Sequence, residues 1–205
     1  MTEPTQKRAV AFFDGQNLFH SAKDAFGYAF PNYDLPLLAD AICAAQGWTL
    51  IESRFYTGIP NAADNAFWNS FWVKKIAQMG KRGVKVFTRP LRYRNKTVRL
   101  PDGSTHAFLT GEEKGIDVRI ALDILSGAMN GVYDVALVFS QDQDLSEVAA
   151  EIRKIATQQN RWIKIACAFP WSPAAHNKRG INGSDWLKID RATYDRCIDP
   201  KDYRS

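Results

Sequence analysis

The chain has 205 residues, 45% hydrophobic and 24% charged, which suits one α/β domain with a sizeable core. Lysine and arginine exceed the acids by 27 to 22, an excess that permits an anionic partner without dictating one. The three cysteines, Cys43, Cys167 and Cys197, form no CxxC pair, which argues against a disulfide frame or a zinc site and for a reducing compartment.

Residues 1–7 are polar and are expected to be loose. The apolar run Ala9–Phe13 ends in Asp14, so 8–14 reads as a first strand. It is far too short to cross a membrane and lacks a cleavage site, so a cytoplasmic protein is expected. A helix follows over 16–25, then a loop over 27–33. Asp34, with Pro36 in the first turn, opens a second helix that Gly47 ends. The second strand is 49–56. Asn61 or Asp64 opens a third helix, where Trp68, Phe71, Trp72, Ile76 and Met79 recur at helical spacing and read as core. Gly83 ends it, and 84–88 is the third strand.

The alternation then breaks. Two extended pieces, 91–100 and 107–110, flank Pro101-Asp102-Gly103-Ser104, which predicts a hairpin inserted at about 89–110. A fourth helix covers 116–129, a fourth strand 133–139, a fifth helix 144–155 and a fifth strand 162–169. A long loop reaches Asp185, 186–189 reads as a last short strand, and 191–197 as a helical turn or two. The globular domain is expected over 8–190, with 191–205 as a tail. Strands alternating with helices imply a parallel sheet covered on both faces. Right-handed crossovers favour the order 3-2-1-4-5, which sets strands one and four side by side with their carboxyl ends forming a cleft.

Acids collect at that cleft. Asp14 ends the first strand, and Ser140-Gln141-Asp142-Gln143-Asp144 follows the fourth. Asp117 lies one turn before Ala121, Ile124 and Ala128 on the stripe of the fourth helix expected to face the sheet. Clustered carboxylates at neutral pH need protons or a cation. Oxygen donors without organised His or Cys favour Mg²⁺ or Mn²⁺, which would activate water and neutralise charge on a phosphoryl group. Plainer roles stand beside these. Asp144, three residues before Glu147, is placed to cap the fifth helix, and Asp117 to serve a helix dipole. Asn17 is placed either to bond a neighbouring loop or to orient a carboxylate or phosphate. Glu112 and Glu113 fit either role, and Asp123 lies off the face of Asp117.

Three blocks, Phe13-Asp14-Gly15-Gln16-Asn17, Glu113-Lys114-Gly115-Ile116-Asp117 and Ser140-Gln141-Asp142-Gln143-Asp144, resemble the signature blocks of the NYN domain, a branch of the PIN-like nucleases. They occur in family order within about 8–170. The resemblance implies a PIN-like α/β/α sandwich and metal-dependent cleavage of RNA, leaving 5′-phosphate and 3′-hydroxyl ends. It implies Asp14, Asp117 and Asp142 as metal-site acids, Asp144 in support and Asn17 in the same site, while Lys114 matches its block and is expected to bind the nucleic acid. The third block usually reads Ser-Gly-Asp-Ser-Asp, and here Gln141 and Gln143 replace the small residues.

From Lys81 to Pro101 there are eight basic residues and no acid, Arg92, Arg94, Lys96 and Arg99 among them, with Tyr93 interleaved. A cationic hairpin beside an acidic cleft would hold a nucleic-acid backbone, single-stranded RNA first, and its plainer role is a solvated edge whose cations discourage aggregation. The loop with Trp171, His176, Asn177, Lys178 and Arg179 is placed either to touch substrate or to be an ordered surface loop. The expected activity is a Mg²⁺- or Mn²⁺-dependent ribonuclease. The alternative is a regulatory module that grips RNA without turnover. A phosphatase using Asp14 as nucleophile is disfavoured, because Gln16 stands where that chemistry commonly places an acid. Whether the chain forms a homo-oligomer stays open.

Overall fold

In the computed structural model, which describes residues 1–204, strand β1 (Lys7–Asp14) is the axis of the fold. Each residue from Ala9 to Asp14 is buried, because both faces of the strand are covered. Ala9, Ala11 and Phe13 enter one core cluster, and Val10 and Phe12 the other. That alternation is the strand period of two, read on a strand with no solvent face.

Helices α1 (Gly15–Phe26) and α2 (Leu35–Gln46) follow, then β2 (Trp48–Ile59), α3 (Ala66–Lys81) and β3 (Lys85–Pro90). The hairpin strands β4 (Arg92–Arg99) and β5 (Thr105–Glu112) pair with each other, outside the main sheet. The chain returns through α4 (Ile116–Met129), β6 (Val135–Phe139), a 3-10 turn (Gln143–Leu145) and α5 (Ser146–Gln158). It closes with β7 (Lys164–Pro170), β8 (Asp185–Ile189) and the short α6 (Arg191–Asp195). The parallel sheet has the order β3-β2-β1-β6-β7-β8. This is the anticipated five-strand order with β8 added at the edge beside β7. Helices α1, α2 and α3 lie on one face and α4 and α5 on the other, giving an α/β/α sandwich. No helix among the described residues is long and apolar enough to cross a membrane.

Several boundaries differ from the sequence reading for identifiable reasons. Asn65, rather than Asn61 or Asp64, caps α3, accepting from Trp68 N–H. Asn61 is occupied in a turn, its carbonyl accepting from the N–H groups of Asp64 and Asn65. Strand β2 runs on to Ile59, because β3 pairs with it as far as Pro90. Helix α5 begins at Ser146, after the 3-10 turn has used Gln143 to Leu145. The stretch from 191, read as a tail, lies on the core with Tyr194 and Tyr203 buried. Lys75 holds it there: its buried ammonium donates to the Tyr33 carbonyl at 2.9 Å and pairs with Asp199 at 3.1 Å. Burial lowers the pKa of that lysine, and the Asp199 charge opposes the shift.

Candidate active site

Asp14 is the last residue of β1 and the N-cap of α1, which fixes both of its oxygens. Oδ1 accepts from Asn17 N–H at 3.0 Å, and Oδ2 accepts from the Ser140 hydroxyl at 3.2 Å. The residue is only 8% exposed. Burial pushes its pKa from 3.8 up to about 6, against the lowering effect of those two hydrogen bonds. The charges of Asp142 and Asp117 raise it further, so the two acids lie within electrostatic reach of Asp14.

Glu113 is the residue the sequence reading left unassigned. Its carboxylate turns inward, accepting from Gly58 N–H and from the Thr57 hydroxyl at 3.3 Å. Gly58 permits that approach, since a Cβ there would meet Glu113 Cγ at 2.6 Å. Burial lifts the Glu113 pKa from 4.5 to about 7, with Asp14 and Asp117 adding to the rise. In sequence it was one of two adjacent glutamates with nothing to separate them. β-sheet pairing separates them: Glu112 ends β5 opposite Arg92, while Glu113 lies beyond the hairpin.

Asp117 stands in the first turn of α4, half-buried. The core stripe of α4 runs through Ile116, Ile120, Ile124 and Ala128. Asp117 and Ala121 are at its margin rather than on it, which corrects the expected stripe. Gly115 caps this helix in the left-handed region at φ 71°, and a Cβ there would collide with the Arg89 guanidinium.

The loop after β6 supplies the third acid. Ser140 Oγ accepts from Asp142 N–H at 3.1 Å while donating to Asp14, so one hydroxyl links the two segments. Asp142 caps the 3-10 turn, its Oδ1 accepting from Asp144 N–H at 3.0 Å, and α5 has no side-chain cap. Asp144 is exposed and starts no helix. Asn17 takes the loop-bonding role, its Oδ1 accepting from Gln141 N–H at 2.8 Å.

The two glutamines have a defined job. Gln141 donates to the carbonyls of Asn177 and Arg179 at 3.3 and 2.8 Å. Gln143 donates to Gly180 O at 2.9 Å and accepts from Asn182 N–H at 3.2 Å. They bind the long loop before β8 to the acidic loop, as a glycine or serine there would not. The same loop is tied to α1 through Asp24, which accepts from His176 N–H at 2.8 Å.

Among the described residues, no three His, Cys, Asp or Glu side chains are grouped to hold a metal ion. Asp14, Asp117 and Asp142 thus form a neighbourhood of interacting charges rather than a closed ligand set. Its chemistry nonetheless suits a hard divalent cation: the donors are all oxygens, and their mutual charge is what a cation would relieve.

The hairpin also carries an acid, Glu112, beyond the basic stretch 81–101. Glu112 pairs with Lys96 at 2.9 Å and with Arg94 at 3.9 Å across the ladder. Arg92 and Arg99 have no ion-pair partner among the described residues, and the Lys114 side chain is exposed. Alternation along β4 sends Tyr93 and Asn95 to one face and Arg92, Arg94 and Lys96 to the other.

The NYN domain family model matches residues 8–160. The chain belongs to the NYN domain family. This NYN domain is therefore PIN-like, a member of a nuclease family, and its sandwich and parallel sheet agree with that assignment. Among solved structures it is similar to a protein of unknown function from Vibrio parahaemolyticus. The TM-score is 0.56 at 19% identity, covering 93% of this chain and 98% of that one, a likeness of fold alone. A ribokinase from Giardia lamblia overlaps at a TM-score of 0.35 and 9% identity, over 84% of this chain and 53% of that one, too low to carry an argument. No curated protein matches the sequence.

Proposed function

We propose that this NYN domain hydrolyses RNA phosphodiester bonds at the acids around Asp14, with Mg²⁺ or Mn²⁺ as cofactor. The observation that carries the reading is the state of Asp14. It is a buried strand-end carboxylate raised to about 6, under the charges of Asp117 and Asp142, in a chain of a nuclease family. A cation or a proton would relieve the cost of such a carboxylate, buried and under two neighbouring acid charges. Asp14, Asp117 and Asp142 would hold the metal, which supplies Lewis acidity and charge neutralisation at a phosphate.

The protein's own groups do the rest. Ser140 and the Asn17 N–H fix the two oxygens of Asp14. Asn17 and Gln141 hold the β6 loop at the start of α1, which keeps Asp142 in place. Glu113, near its midpoint at neutral pH, is suited to take up or release a proton. Asp144 and Lys114 are both exposed to solvent.

The test compares wild type with Asp142→Asn on labelled single-stranded RNA, with chelator, Mg²⁺ or Mn²⁺. Asparagine keeps the cap on Asp144. Cleavage that needs metal and falls at least a hundredfold in the variant supports the reading. Equal rates, or cleavage in chelator, would overturn it. The ungrouped acids favour a second reading, an RNA-binding module without turnover. Metal-independent binding with no cleavage by either protein would select it.

A further inference from the structure

A groove of about 610 Å³ opens beside the acids, between the start of α1, the start of α3 and the hairpin. That volume is within the roughly 300–1,000 Å³ of small-molecule sites. Two of its lining residues join it to the acidic site. Gly15 directly follows Asp14, and Gly58 is the residue whose N–H is bound by Glu113.

Aromatic side chains reach the groove from three separate elements: Phe19 and His20 from α1, Trp68 from α3 and Tyr93 from β4. Trp68 was expected in the core, and it is braced there by Phe30 and Phe71 at ring distances of 5.4 and 5.1 Å. Yet it stays half-buried and lines the groove. Several polar groups on the walls are unspent. Among the described residues no hydrogen bond engages the side chains of Gln16 or Asp64, or the Tyr93 hydroxyl. Asp64 lies near enough to Tyr93 that its charge adds to the effect of burial in raising that hydroxyl's pKa.

The charge of the lining decides what part of a nucleic acid fits. No lysine or arginine lines the groove, and Asp64 does. A phosphate has no counter-charge there. A heteroaromatic ring with donors on its edge finds stacking faces, an amide and a carboxylate. The hairpin's alternation gives the same division, with Tyr93 turned to the groove and Arg92, Arg94 and Lys96 on the opposite face.

We propose that the groove holds one unpaired nucleobase of a single-stranded RNA, in contact with Tyr93 and Trp68, next to the phosphate that meets the acids. The proposal rests on the RNA reading above and adds that the protein grips a base as well as the backbone.

The test measures binding in chelator by fluorescence anisotropy. The probes are an RNA octamer and a ribose-phosphate octamer lacking all bases, each with wild type, Tyr93→Ala and Tyr93→Phe. Wild type should prefer the octamer with bases. Tyr93→Ala should shrink that preference about tenfold, within the range of one base stacked on an aromatic ring. Tyr93→Phe should retain it, and the salt dependence should be the same in all three proteins, showing that phosphate contacts and fold are intact. A preference unchanged in Tyr93→Ala would overturn the base groove while leaving the RNA reading standing. Failure of wild type to bind the octamer at all would overturn both.

Discussion

Ser140 donates its hydroxyl to Asp14 Oδ2 at 3.2 Å, joining the ends of two neighbouring strands through one hydrogen bond. The same oxygen accepts from Asp142 N–H, so its loss would free two acids together. Ser140→Ala should destabilise the protein by about 1–2 kcal/mol, the usual cost of a buried polar group left without its partner. Because this hydroxyl lowers the Asp14 pKa, the variant's Asp14 should titrate above its wild-type value of about 6. Urea unfolding at pH 7 and an NMR titration of the Asp14 carboxyl check both effects. Unchanged stability together with an unchanged titration would show the contact to be incidental.

The strand-end position of Asp14 was legible because a fully apolar strand and an abrupt carboxylate are both visible in one dimension. The parallel sheet followed from alternation of elements, and the hairpin from its turn residues. What was not legible depended on pairing across the sequence. Glu112 and Glu113 are adjacent acids until the β4–β5 ladder gives one to Lys96 and Gly58 of β2 gives the other a half-buried site. Asp144 does not cap α5 for a local reason: a 3-10 turn precedes the helix, Asp142 caps that turn, and α5 itself has no side-chain cap. Gln141 and Gln143 read as departures from a motif, because their partners lie in the loop at 177–182.

Glu112 restrains the basic face of the hairpin. Its pairs with Lys96 and Arg94 compete with any phosphate that would bind them. Glu112→Gln should therefore tighten binding of single-stranded RNA. It should also steepen the log–log salt dependence by roughly 0.7 for each cation released to a phosphate. Anisotropy titrations between low and moderate salt measure this. Weaker binding, or an unaltered slope, would mean that this face does not meet RNA.

The glutamine pair makes its own prediction about dynamics. With Gln141→Ala and Gln143→Ala together, the carbonyls of Arg179 and Gly180 and the N–H of Asn182 lose their side-chain partners. The loop should open locally more often, while the sheet beneath keeps its protection. Trypsin should cut after Lys178 and Arg179 several-fold faster in the double variant, with global unfolding shifted by only about 1–3 kcal/mol. Equal cleavage rates would show that the loop is held by Asp24 and its own turns instead.

Glu113 provides a pH-dependent test of the charge cluster. Its pKa is raised by burial, and by Asp14 and Asp117, from 4.5 in an open chain to about 7 when folded. An acid raised in this way costs nothing below the unfolded value, where both states hold the proton. As pH climbs from 4.5 to about 7, the unfolded chain releases its proton first, so folding stability declines. Above that window the full penalty remains, up to roughly 3 kcal/mol for a rise of this size. Glu113→Gln keeps an oxygen for the Gly58 N–H and removes the charge. In chelator, its stability relative to wild type should grow across the window, reaching about 1–3 kcal/mol in its favour at pH 8. Near pH 4 the two proteins should be closely matched. Denaturant melts of both proteins at half-unit steps of pH give the difference curve directly. A difference that does not change with pH would mean that Glu113 is an ordinary hydrogen-bonding residue and that no proton is held at the site.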